Sequence, residues 1–120
     1  MYIENVKSQM RKGMLEYSIM LLLRVKPCYS SDIIEELGSA NLIVVEGTLY
    51  PLLNRLKKEG ILDYEWQESS AGPPRKYYKL TEAGQQALAR LDESWCNLSS
   101  TVTHIKEKSN SLPTIKKTEQ

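Results

Sequence analysis

The stretch EGTLYPLLNRLKKEGIL, residues 46–62, decides the fold. Leu49, Leu52, Leu53 and Leu56 recur at i, i+3, i+4 and i+7, one apolar stripe along a helix that Gly60 ends. The opposite face carries Gly47, Pro51, Asn54 and Lys58, flanked by Tyr50 and Arg55. A helix that only supported a fold would carry Ala, Glu and Gln there. Gly47 and Thr48 fall where the helix begins, so Pro51 lies in or just after the first turn, where a missing N–H costs least. A glycine and a proline also let the helix start approach another surface closely. Tyr50 can donate to a phosphate, Asn54 can bond a base edge, and Arg55, Lys57 and Lys58 supply charge.

Upstream, a first helix is expected over about residues 5–25. Met10, Met14, Tyr17, Ile19, Leu21, Leu22 and Leu23 make most of its circumference apolar after Gly13, so it should be buried on more than one side. Pro27 stops it. Ser30 or Ser31 caps a short helix running to about Leu37, with Asp32 in its first turn and Gly38 past its end. The linker SANLIVV is apolar enough that part of it should pack on the wing or the first helix.

Downstream, ILDYEWQE alternates, with Leu62, Tyr64 and Trp66 on one face. SSAGPP is a turn-rich loop, and RKYYKL alternates again, with Tyr78 and Leu80 inward. These form a β-hairpin whose tip carries Arg75, Lys76 and Lys79 with Tyr77 beside them. Thr81 caps a last helix of about 28 residues, roughly 40 Å long. On it Leu88, Leu91, Trp95, Leu98, Val102 and Ile105 follow spacings of 3, 4, 3, 4 and 3, a heptad seam that a second copy of the chain would bury.

The order helix, helix, helix, hairpin, long helix predicts a mainly α (α+β) winged helix-turn-helix with a two-stranded wing. Residues 1–80 form the DNA-binding domain, 81–108 the dimerisation helix, and 109–120 a disordered tail. The third helix would enter the major groove and the hairpin would reach the neighbouring backbone.

Composition sets the outer limits. With 120 residues, 41% hydrophobic and 26% charged, the chain has room for one globular domain with an appended element. No apolar run reaches membrane-spanning length, and the opening MYIENVKSQMRKG lacks a signal-peptide core, so a cytoplasmic location is expected. The net charge of +1 gives no bulk affinity for nucleic acid, so binding must rest on local basic clusters. Cys28 and Cys96 are far apart and fit neither a disulfide framework nor a zinc site. His104 is the single histidine, and no Ser-His-carboxylate set or phosphate loop stands out. Neither an enzyme nor a cofactor or metal requirement is expected.

The segments EGTLYPLLNRLKKEGIL and GPPRKYYKLTEAG resemble the PadR family of bacterial transcriptional regulators, over about residues 11–108. A single C-terminal helix resembles its smaller subfamily. The resemblance implies an N-terminal winged helix, a C-terminal dimerisation helix, and repression at short inverted repeats. It implies Thr48, Tyr50, Pro51 and Asn54 on the recognition helix and Arg75, Lys76 and Tyr77 on the wing. With Ser31 and Arg55 these make the expected DNA-binding set. The resemblance extends to DESWCNL: Trp95 matches a position that lines a flat apolar pocket at the dimer interface, where a small aromatic effector would bind with Tyr17 as a wall. The expected partners are therefore an operator in double-stranded DNA, a second copy of the chain, and a small aromatic effector. The alternative is a winged-helix module that uses the same surfaces for a protein partner without specific DNA binding.

Overall fold

The structure is a computed structural model that describes residues 1–111. The first helix, α1 (Tyr2–Val25), starts three residues earlier than expected and stops two residues short of Pro27. Only its second half is sequestered: Leu15, Ile19, Met20 and Leu23 are buried, whereas Met10 is 72% exposed. Burial is thus found in the part after Gly13, where it is expected, and the start of the helix is exposed.

Cys28–Tyr29 form a short strand, β1, which no pattern of alternation could announce in two residues. The next helix, α2 (Ser30–Ser39), begins one residue before Ser31, with Tyr29 at its cap. The Tyr29 N–H donates to the Asp32 carboxylate at 3.1 Å, so the acidic side chain, not a serine hydroxyl, closes this end. At the other end Gly38 stays inside the helix. Asn41 takes the left-handed position at φ 68°, and Leu42 N–H returns to the Leu37 carbonyl while Asn41 N–H returns to Gly38. This is a Schellman ending built on asparagine, which tolerates that conformation better than other non-glycine residues.

In the linker, Val44 is buried and Leu42 packs against the core, while Ile43 and Val45 remain exposed. The third helix, α3 (Glu46–Lys58), ends in a second Schellman turn. There Gly60 has φ 78°, its N–H bonds the Lys57 carbonyl, and Ile61 N–H bonds Leu56. Leu49, Leu53 and Leu56 are buried and Leu52 packs partly against them, as the leucine spacing requires.

The hairpin consists of β2 (Leu62–Ser69) and β3 (Gly72–Leu80), antiparallel from Leu62↔Leu80 to Ser69↔Gly72, with a register shift between Gln67 and Ser69. It is longer than expected, because Gly72, Pro73 and Pro74 belong to β3 rather than to the loop. The prolines sit in the irregular part of the ladder, where a missing N–H costs little. On the far side of β3, β1 pairs Cys28↔Tyr78 and Tyr29↔Tyr77. The sheet is thus three-stranded in the order β1-β3-β2.

The last helix, α4 (Glu82–Asn110), is capped as expected: the Gly84 N–H donates to Thr81 Oγ1 at 2.9 Å. The same residue ties the helix to the α3–β2 corner. Its N–H donates to the Ile61 carbonyl at 3.0 Å, and its hydroxyl lies 2.5 Å from the Gly60 carbonyl. Two compact units result, Met1–Leu88 and one beginning at Ala89. The first turns of α4 thus belong to the first unit, which runs past residue 80 because Gly84 and Leu88 are buried in it. Ser109 and Asn110 complete α4, Ser111 follows in a turn against it, and residues 112–120 of the expected disordered tail lie outside the described residues.

One core serves the first unit. Ile19, Ile33, Leu49, Leu53, Leu62, Tyr78 and Leu88 are all fully buried, so α1, α2, α3, the hairpin and the start of α4 share it. At about 1.5–3 kcal/mol per fully buried large apolar side chain, the inward half of α3 is fixed by packing, which leaves its outward half without a structural duty.

Candidate nucleic-acid interface

The outward half of α3 presents Gly47, Thr48, Pro51, Asn54 and Lys58, all exposed. Pro51 lies in the second turn and removes one helical hydrogen bond, the one its N–H would have given the Gly47 carbonyl. A β-carbon on Gly47 would meet nothing within 4 Å, so no packing inside the protein calls for glycine there. No side chain caps the start of α3, and the Val45 carbonyl accepts both the Thr48 and Leu49 N–H groups.

Charge on α3 is distributed differently from expectation. Arg55 forms an ion pair with Glu16 of α1, and Lys57 lies 3.8 Å from Asp63 of β2. Both cations are partly spent inside the unit, where they brace α3. Lys58 stays on the outer face beside Asn54. Tyr50, 40% exposed, places its hydroxyl 3.1 Å from the Ser30 hydroxyl, linking α3 to the start of α2.

On the wing the neighbours Arg75 and Lys76 point to opposite faces, as successive strand residues must. The Arg75 guanidinium stacks 4.0 Å above the Tyr29 ring and donates to Ser31 Oγ at 3.2 Å. Tyr77 packs against the same ring, centroids 5.0 Å apart. Ser31, Arg75 and Tyr77, three members of the expected set, therefore meet at β1. On the other face Lys76 lies 4.5 Å from the Tyr64 ring and 5.6 Å from Trp66. Both cations are held on aromatic rings, which pre-orders them without neutralising them.

Sequence reasoning missed the rings. Tyr29 gave no periodic cue, because its strand has two residues. Trp66 was expected on the buried face with Leu62 and Tyr64, yet it is 62% exposed, because the hairpin runs out past the core. Tyr78, placed inward by alternation, is 1% exposed, and its hydroxyl has no hydrogen-bond partner. Burial first, then the neighbouring Tyr50 and Tyr64, pushes the Tyr78 pKa up, so the group is a protonated donor at neutral pH. Burial, followed by the nearby Asp32, likewise raises Cys28, which makes it an inert thiol.

Of the seam residues, Leu88 is spent in the core of its own chain. The exposed seam begins at Leu91 and continues through Trp95, Leu98, Val102 and Ile105, between 39% and 62% exposed. Trp95 is half-exposed on α4, and Tyr17 is half-buried on α1 against the core. No helix among the described residues is long and apolar enough to cross a membrane.

A family model described as the transcriptional regulator PadR-like family matches residues 19–90. A solved PadR-like transcription factor from Bacteroides fragilis is 66% identical, with a TM-score of 0.74, covering 84% of this chain and 98% of its own. A PadR-like transcriptional regulator from Bacillus cereus is 36% identical, with a TM-score of 0.73, over 81% of this chain and 95% of its own. An uncharacterized protein of Lysinibacillus sphaericus is 29% identical over 96 residues, 78% of this chain and 88% of its own length.

Proposed function

The chain belongs to the PadR-like family of transcriptional regulators, DNA-binding proteins rather than enzymes, and from that premise we propose that it is a cytoplasmic homodimeric repressor acting at an inverted repeat. Each protomer lays α3 in one of two major-groove half-sites about 34 Å apart, or a near multiple of that. The observation that carries this is the bare outer face of α3 beside a wing whose cations are held ready on aromatic rings. Asn54 reads a base edge, while Arg75, Lys76, Tyr77, Tyr50, Thr48 and Ser31 hold the backbone.

Fluorescence anisotropy with DNA from upstream of the protein's own gene, at two salt concentrations, tests this. A dimer making about 6–10 phosphate contacts loses roughly 10³–10⁵ in affinity between 50 and 200 mM salt, whereas a protein–protein contact changes far less. Arg75→Ala should weaken binding to all sequences alike. Asn54→Ala should also relax sequence choice, by about 1–3 kcal/mol of discrimination. An unchanged preference in a selection from random DNA would remove Asn54 from base reading.

Release by a small aromatic ligand stacked on Trp95, with Tyr17 as a further contact, is supported by an indole half-exposed on the seam of α4. Such a ligand should quench indole fluorescence, and Trp95→Ala should abolish its binding. Undiminished binding by that variant would exclude Trp95.

A further inference from the structure

A cleft of about 220 Å³ opens between the start of α2, α3 and the hairpin. Ser30, Tyr50 and Tyr78 line it together with Trp66 and the β3 residues Pro74, Arg75 and Lys76. Its volume is below the roughly 300–1,000 Å³ of sites that enclose drug-sized molecules, so its occupant is a compact group.

The polar inventory of the walls is one-sided. The Tyr78 hydroxyl is buried and has no acceptor. Ser30 and Tyr50 share one hydrogen bond, and whichever donates it, the other hydroxyl proton remains to be given away. The Trp66 indole and the Lys76 ammonium donate and cannot accept, while the Arg75 guanidinium is engaged with Tyr29 and Ser31 on the other face. None of the walls is a carboxylate. A buried donor without an acceptor costs about 1–3 kcal/mol, so a fold that keeps one at a cleft has a use for it.

We propose that this cleft is a seat for a single phosphate oxyanion, with Tyr78 as its buried donor and Lys76 as its counter-charge. In the DNA complex the occupant is a backbone phosphate. This rests on the DNA-binding reading, and goes beyond it in assigning Ser30, Trp66 and Tyr78 to the interface. The seat joins both helices of the helix-turn-helix to the wing through one ligand, so it sets the angle of the wing to the groove.

Tyr78→Phe is the decisive variant. It keeps the ring and removes an unsatisfied hydroxyl, so it should fold at least as stably as the parent. Against an operator selected from random DNA, it should bind about tenfold or more weakly, the scale of one hydrogen bond to a charged group. Its sequence preference and salt slope should be unchanged, because a neutral donor displaces no counterion. One methylphosphonate position per half-site should weaken the parent more than it weakens Tyr78→Phe, which keeps only the Lys76 contact to that phosphate. Lys76→Gln should flatten the salt slope by about one contact per protomer.

Inorganic phosphate supplies the second arm. It should shift the Trp66 indole N–H resonance saturably in the parent and not in Tyr78→Phe. Saturable phosphate binding with unaltered DNA affinity in the variant would uphold the oxyanion seat and overturn the backbone assignment. Unaltered DNA affinity together with no phosphate response would overturn the seat altogether. A parent that selects no DNA sequence would refute the DNA reading alone, and the phosphate arm would still decide the seat.

Discussion

Gly84→Ala should destabilise the protein by about 3 kcal/mol or more, at the upper end of overpacking costs. Gly84 lies in the first turn of α4, buried where the helix crosses the α3–β2 corner. A β-carbon there would overlap the Ile61 carbonyl oxygen and stand 3.1 Å from its carbon and 3.2 Å from Leu80 Cδ2. The neighbour is backbone and cannot swing aside. The Ile61 carbonyl is also held by the Thr81 N–H, and Thr81 caps the same helix, so relief would disturb the cap. Thermal unfolding at fixed protein concentration should show a midpoint lowered by about 10 °C or more. Gly13→Ala is the control. It lies inside α1 with nothing within 4 Å of a β-carbon, so alanine should raise stability by about 0.5–1 kcal/mol. Equal behaviour of the two variants would refute the close approach at Gly84.

Leu98→Glu should abolish the dimer we propose and lower operator affinity by about 10²–10⁴. Leu98 lies midway along the exposed seam and is the most exposed of its five members, at 62%. Its change adds a charge at the centre of any paired surface and touches nothing in the core of the first unit. Two linked reading heads gain affinity because the second contact becomes intramolecular, and a monomer loses that gain. Light scattering should give 13.7 kDa for the variant and twice that for the parent. A parent of 13.7 kDa, or a variant that keeps the doubled mass, would remove the seam from the assembly.

Long periodic segments were legible in the sequence. The leucine stripe of α3, the alternation of the hairpin apart from Trp66, and the cap at Thr81 fell where spacing put them, since each is dictated by a repeat or by a side chain bonding its own backbone. What escaped depended on contacts between distant residues. The two residues of β1 acquire strand geometry from β3, not from their own pattern. Asn41 displaced Gly38 as the left-handed residue because the helix ran one turn further than its glycine suggested. Nothing in the sequence around Arg55 and Lys57 shows that Glu16 and Asp63 come alongside them. Leu88 fits the heptad as well as Leu91 does, and only the depth of the core separates them. The candidate site was half legible. Its cations and Asn54 could be named, but not the tyrosine rings that carry the cations or the unsatisfied hydroxyl of Tyr78.

Pro73 and Pro74 have a bearing on how concentrated this protein can become. β1 covers β3 only at Tyr77 and Tyr78, so the margin of the wing is open near its tip. An open strand margin is a template on which another polypeptide can add itself, and such addition propagates into fibres. Two consecutive residues without N–H groups break the ladder that an incoming strand would need. This margin of β3 is thus closed to self-recruitment near the tip of the wing.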